Sequence, residues 1–228
     1  MPGILYAIPS PLGGKAADAL PASALALVKA LRVFTVENAK SARAFLNDVG
    51  MPCPIQELQI SVLDDPSKEI KALKAGTSIG LLSEAGCPAI ADPGASLVES
   101  AHREGIQVVP LVGPSSIVLA LMASGLEGQR FAFCGYVPRE AEDRKRRLKE
   151  LEARSRKEHE TQIFIETPYR NDALLAALLE SCGSETRLCV ASDLTLQSES
   201  VATRSIGQWR KARPAIGKRP TVFLLLAR

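Results

Sequence analysis

Short apolar clusters alternate with amphipathic stretches through the first half of the chain. Ile4 to Ile8, Val33 to Val36, Ser78 to Leu82 and Gln107 to Leu111 are too short for buried helices and carry branched side chains, which predicts strands. Helical spacing fills the segments between them. Ser23 is expected to cap a helix whose Leu25, Val28 and Leu31 share a face, and Ser41 to Val49 predicts a helix ending at Gly50. Pro66 to Ala75, followed by Gly76, and Ala95 to Arg103 predict two more, while Ile55 to Ile60 reads as extended. Repeated strand–helix order implies a parallel sheet with both faces covered.

The second half follows a different rhythm. Ser115 to Ala123 is apolar nearly all round, which predicts a buried helix. Arg139 to Glu160 holds nine basic and seven acidic residues and reads mostly as an exposed helix. Leu174, Leu175, Leu178, Leu179 and Cys182 form the apolar face of another. Phe131 to Cys134, Gln162 to Ile165, Leu188 to Ala191, Ser200 to Ile206 and Val222 to Leu226 read as strands. With little helix between the last three, antiparallel pairing is expected there. The prediction is therefore an α/β protein of two domains, residues 1–112 with a mainly parallel sheet and residues 113–228 with a mixed one.

Composition narrows the chemistry. The chain has 228 residues, 46% hydrophobic and 23% charged, an ordinary globular balance. No apolar run approaches the roughly 18–20 residues of a membrane span, and Met1 to Tyr6 lacks the features of a secretory signal, so a cytoplasmic protein with no membrane partner is expected. The five cysteines show no C-x-x-C spacing, which argues against a disulfide framework or a zinc site. His102 and His159 both fall in charged helical stretches, which weakens histidine-dependent catalysis and multi-histidine metal chemistry. Charge is uneven. Residues 200–228 contain no acid but seven bases, Arg204, Arg210, Lys211, Arg213, Lys218, Arg219 and Arg228, whereas the first 199 residues carry 21 basic and 25 acidic side chains. A basic surface suits a polyanion such as RNA; a solvated rim around the last strand is the plainer reading.

Three Gly/Pro-rich loops follow predicted strand ends, where open α/β sheets place their ligands. They are Pro9 to Gly14, Ser83 to Gly94, and Gly113 to Ser116. Glycine lets backbone approach a ligand closely and proline stiffens the turn, so backbone N–H and C=O groups are presented at little ordering cost. The chain has no G-x-x-x-x-G-K-[ST], no G-x-G-x-x-G after a strand and no G-x-S-x-G elbow. A cofactor held by backbone groups fits better than a phosphate cradle.

These loops carry a resemblance to the tetrapyrrole (corrin/porphyrin) methylase superfamily, closest to its branch that methylates a ribose 2′-hydroxyl of small-subunit ribosomal RNA. That branch's P-T-P-I-G is matched by Pro9 to Gly13. Its S-D-A-G-T-P-x-I-S-D-P-G is matched by Ser83 to Gly94, with Glu84 for Asp, Cys87 for Thr and Ala91 for Ser. P-G-P-S-A appears as Val112 to Ser116, G-F-x-P-R as Gly135 to Arg139, and E-S-P-H-R as Glu166 to Arg170 with Tyr169 for His. The chain departs from the branch at E-D-T-R, here Glu37 to Lys40, and at R-E-L-T-K, here Ser192 to Leu196. The cofactor loops remain while these polar segments are softened, so the chain resembles a divergent member.

The resemblance implies S-adenosylmethionine as cofactor, held in a cleft between the domains, with contacts at Leu12, Ser83, Glu84, Cys87, Ser115, Ser116, Glu166, Leu194 and Thr221. It also implies a homodimer. A sulfonium methyl is already activated, so the protein must chiefly align donor and acceptor and exclude water. A hydroxyl acceptor also needs a proton taken up; Glu37, by motif position, and Glu166 are the candidates. Lys40 joins Glu37 as a candidate catalytic residue, while Arg139 and Arg170 are candidates for substrate binding, Lys40 and Arg170 suiting an anionic acceptor. No metal is expected. The alternatives are methyl transfer to a tetrapyrrole or other small molecule, and a non-catalytic S-adenosylmethionine-binding or interaction module.

Overall fold

The computed structural model describes residues 1–212 and 214–228, which divide into two compact units, Met1–Ser115 and Ser116–Arg228. In the first unit the order is β1 (Leu5–Ile8), α1 (Ala16–Ala19), α2 (Ala22–Ala30), β2 (Val33–Val36), α3 (Ala39–Val49), β3 (Gln59–Val62), α4 (Ser67–Lys74), β4 (Ile79–Leu82), α5 (Ala95–Arg103) and β5 (Val108–Pro110). The strands form one sheet, β3-β2-β4-β1-β5, and every pairing is parallel. Alternating side chains build a core on each face. Ile8, Phe34, Val36 and Leu82 meet Val28, Ala42 and Leu46 from α2 and α3. Leu5, Ile79 and Leu81 meet Leu73 and Leu97 from α4 and α5. The connection leaving β1 thus covers one face and that leaving neighbouring β4 covers the other. The carboxyl ends of β1 and β4 therefore flank the topological switch point, where such sheets open a crevice.

Two local expectations change. Ser23 lies inside α2 rather than capping it; extended Pro21 holds the N-cap position without a side-chain bond. Ile55 to Ile60 is not one extended run, because Ile55–Glu57 forms a 3₁₀ turn after Pro54 and the strand begins at Gln59, opposite Val33. Pro52 and Pro54 lack the N–H a ladder needs, which delays pairing until after the turn.

The second unit contains α6 (Ser116–Ser124), β6 (Phe131–Tyr136), α7 (Ala141–Glu158), β7 (Thr161–Ile165), α8 (Asn171–Ser181), β8 (Arg187–Ser192), β9 (Ser200–Ser205), α9 (Ile206–Ala212) and β10 (Thr221–Leu226). Its sheet runs β6-β7-β10-β8-β9, with β6 parallel to β7 and the other pairs antiparallel. Phe164 and Phe223 stack with ring centroids 6.0 Å apart, among Leu148, Leu151, Leu174, Leu178 and Trp209. The charged α7 is amphipathic rather than wholly solvated. Its buried Glu152 accepts hydrogen bonds from Gly183 N (2.8 Å) and the Thr186 hydroxyl, and Ser155 Oγ accepts from Ala227 N at 2.9 Å. Helix α9, unannounced by the strand pattern around it, buries Ile206 and Trp209, whose indole donates to Leu188 O at 2.8 Å.

The expected burial of α6 does not hold. Ala120 and Ser124 are its buried residues, whereas Val118 and Met122 are 51% and 75% exposed. The helix rests one side on β8, β9 and β10, and a single sheet can cover only that side. No helix among the described residues is long and apolar enough to cross a membrane.

Candidate functional site

In the first unit the three Gly/Pro loops converge at the switch point. Ser10 and Gly86 form an antiparallel bridge, with Ser10 N donating to Gly86 O (2.8 Å) and Gly86 N to Ser10 O (2.9 Å). The Ser10 hydroxyl donates to Ser83 O at 2.9 Å, and the buried Ser83 hydroxyl to Gly86 O at 3.1 Å. The third loop closes on the first at Gly113. A Cβ there would lie 2.4 Å from Pro9 Cβ and 2.8 Å from Leu20 Cδ2, so only glycine fits the approach. Gly86, at φ +76°, faces the Leu12 side chain, and the Cys87 thiol donates to Pro114 O at 3.4 Å. Burial pushes that thiol upward, away from the thiolate a nucleophile needs. Leu12, Ser83, Cys87 and Pro114 therefore belong to one braced rim, with Ser115 next in the chain and Ser116 opening α6.

Carboxylates gather beside this rim. Glu37, just beyond β2, accepts from Glu84 N at 3.4 Å, and Glu84 accepts from the Ser41 hydroxyl at 2.9 Å. Asp92 completes the group. Burial, then the charges of Glu37 and Glu84, push its carboxyl from 3.8 up to about 6. Asp92 was not singled out in the sequence, although it stands at the Asp of the loop motif. Ala89 and Ala91 hold φ of +66° and +63° in the same loop, a conformation that costs a side chain of order 1 kcal/mol or more. Asn38, where the branch has Asp, caps α3 by accepting from Lys40 N at 2.9 Å, and the Lys40 side chain is exposed.

The second unit groups other predicted residues around the ends of β7, β8 and β10. The Glu166 side chain is fully buried; Oε1 accepts from Thr167 N at 2.7 Å and from the Arg170 guanidinium, while Oε2 has no partner. Thr221 Oγ1 and Ser192 Oγ are 2.8 Å apart, and Asn171 Nδ2 lies 3.4 Å from the same Thr221 oxygen. Asn171 is wholly buried and also donates to Gly217 O (3.1 Å) and Arg219 O (2.7 Å). Sequence reasoning missed it, since an Asn opening a helix resembles an ordinary polar start. Leu194 is buried in a loop that Asp193 and Thr195 enter at φ +52° and +72°. Arg219 donates to Asp193 at 2.6 Å, and this bond holds the Asp193 carboxyl below the usual carboxylate range. Arg139 is exposed on the loop after β6.

The basic C-terminal segment is less of a polyanion surface than its charge count implies. Arg210 donates to Leu179 O, Cys182 O and Ser184 Oγ, Arg219 serves Asp193 and Ser198 O, and Arg204 lies 4.9 Å over the Trp209 ring. These cations bind the fold to itself. Lys211 and Lys218 remain exposed, and Arg213 lies outside the described residues.

The chain matches the family model described as Tetrapyrrole (Corrin/Porphyrin) Methylases over residues 15–209. It is 33% identical over 204 residues to "Ribosomal RNA small subunit methyltransferase I" of Vibrio cholerae, covering 87% of this chain and 67% of that protein. To the protein of the same name from Mesorhizobium japonicum it is 34% identical over 203 residues, covering 89% and 67%. Among solved structures, uroporphyrin-III-C-methyltransferase from Thermus thermophilus superposes with a TM-score of 0.60 over 98% of this chain and 94% of that one. At 17% identity that likeness concerns the fold alone. Sequence family and fold converge: the chain belongs to the tetrapyrrole (corrin/porphyrin) methylase family and is an S-adenosylmethionine-dependent methyltransferase.

Proposed function

We propose that the methyl acceptor is a ribose 2′-hydroxyl of small-subunit ribosomal RNA. The relatives that share a third of their residues with this chain bear the name of a small-subunit ribosomal RNA methyltransferase, and that likeness carries the acceptor class. The cofactor fits the residues present. The Ser10–Gly86 bridge and the close approach at Gly113 make a rigid backbone-lined rim, and Glu166 Oε2 is a buried acceptor awaiting a donor. Leu12, Ser83, Glu84, Cys87 and Ser115 would hold it at the rim of the first unit; Ser116, Glu166, Leu194 and Thr221 are the further contacts that the resemblance implies. When bound, S-adenosylmethionine supplies a methyl group on a cationic sulfur.

The chain's own work is then positioning and proton uptake. Glu166 is neutralised by Arg170 and suits the holding of an N–H or O–H group at Oε2. The proton of the acceptor goes to the acidic group of Glu37, Glu84 and Asp92. Asp92, with its carboxyl at about 6, is matched to proton transfer near neutral pH, and Glu37 adjoins it. Lys40, Arg139 and Arg170 would meet the RNA phosphates.

The test supplies the purified chain with methyl-labelled S-adenosylmethionine and either small ribosomal subunits or their deproteinised RNA, followed by nucleoside mass spectrometry. Label in a ribose-methylated nucleoside supports the reading. Cofactor binding without transfer to either RNA, or transfer to a tetrapyrrole instead, overturns it.

A further inference from the structure

We infer that Tyr169 and Lys218 form a base-stacking platform for a single-stranded stretch of the acceptor RNA, an inference that rests on the RNA reading above. Tyr169 follows β7 in a 3₁₀ turn, Pro168–Arg170, and is 79% exposed. Lys218 Nζ sits 5.2 Å from its ring centroid, a cation–π distance, and most of the ring remains open to solvent with the ammonium in place.

This pair adds nothing to the core, yet buried groups hold it. Asn171 Nδ2 donates to Gly217 O and Arg219 O, the carbonyls on either side of Lys218. Asp172 Oδ1 accepts from Ile216 N (2.7 Å) and Gly217 N (3.3 Å), which pins the start of the same turn to α8. Tyr169 is continuous in sequence with Asn171, so one helix start fixes both the ring and the turn bearing the cation. A fully buried amide clamping an exposed aromatic–cation pair is preorganisation, and preorganised aromatic surfaces bind with little ordering cost.

The chemistry selects the ligand. A flat exposed ring, flanked by Lys218 and by the part-exposed Arg170, offers a π-face for a base and cations for the adjoining phosphates, the combination by which proteins hold unpaired RNA. Its location fits as well, because Asn171 also reaches Thr221, and Arg170 pairs with Glu166. The platform thus borders Glu166 and Thr221, two of the groups that the resemblance assigns to the methyl donor.

The experiment measures methyl transfer to small-subunit ribosomal RNA and S-adenosylmethionine affinity for the wild type and for Tyr169→Ala, Tyr169→Trp and Lys218→Gln. Tyr169→Ala is expected to raise the RNA KM about tenfold while donor affinity stays within twofold, and Tyr169→Trp to restore KM. Lys218→Gln should lower the slope of log affinity against log salt by about one, and Tyr169→Ala should leave that slope unchanged. Unfolding midpoints equal to wild type verify that the variants fold. Wild-type transfer with a Tyr169→Ala KM within twofold overturns the platform and leaves the RNA reading intact. Absence of wild-type transfer to RNA overturns both.

Discussion

Replacing Asp92 by Asn tests the acidic group directly. Asp92 is half-buried in the second Gly/Pro loop, and its carboxyl titrates at about 6 instead of 3.8 because burial, Glu37 and Glu84 all oppose its charge. A carboxyl whose folded value is raised binds protons more readily in the folded than in the unfolded chain. Stability is therefore lost as pH climbs from 3.8 through 6 and stays lower above that. The displacement corresponds to at most about 3 kcal/mol, and solvent screening of a half-exposed group reduces it to about 1 kcal/mol. Asp92→Asn, isosteric and uncharged, should raise the unfolding free energy by about 1 kcal/mol at pH 7.5. Urea denaturation at 7.5, 6 and 4.5 should show the gain shrinking towards the acid end. High salt should remove only part of it, since the largest cause is desolvation and only the Glu37 and Glu84 contributions are Coulombic. A variant that is no more stable than wild type at pH 7.5, or whose gain does not change with pH, would refute the charge cluster.

Gly113→Ala forces a Cβ to 2.4 Å from the Pro9 ring, so the first and third loops must part. A loss of about 1–3 kcal/mol in denaturation is expected, together with at least tenfold weaker S-adenosylmethionine binding by calorimetry, and wild-type affinity would count against the braced rim. Glu84→Arg should abolish donor binding while the circular dichroism spectrum stays native; unchanged affinity would remove Glu84 from the site. Asn171→Ala leaves Gly217 O, Arg219 O and Thr221 Oγ1 without their shared donor, and a loss of roughly 2–3 kcal/mol is expected in urea titration. A loss below roughly 0.5 kcal/mol would mean that the turn bearing Lys218 holds itself.

The linear pattern was informative wherever neighbours in sequence settle structure. Branched runs of four or five residues became strands because alternation decides which face each side chain meets, as Ile79 and Leu81 on one face and Leu82 on the other illustrate. The Gly/Pro loops were readable as ligand-bearing because glycine and proline restrict backbone locally, and their order matched a family motif. Asn38 and α9 were already less legible, since a cap and a short helix depend on the strands they adjoin. Amphipathicity alone misjudged α6, whose all-round apolar sequence says nothing of how many of its sides are covered.

The long-range features came from the fold itself. Glu37 and Glu84 are 47 positions apart, Asn171 and Thr221 50, and nothing local in either segment announces the other. Sheet order brought them together: placing β4 between β2 and β1 sets the Glu37 and Glu84 loops side by side, and pairing β10 with β7 and β8 sets Thr221 near Asn171 and Ser192. Two cations of the seemingly basic tail, Arg210 and Arg219, found carbonyl and carboxylate partners, while Lys211, Lys218 and Arg228 stayed exposed. Chain chemistry settled which pieces form and which loops can approach a ligand, because those depend on torsions and on polarity a few residues apart. Which charges face one another, and what remains open to a partner, depended on strand order, because electrostatics and burial act through space.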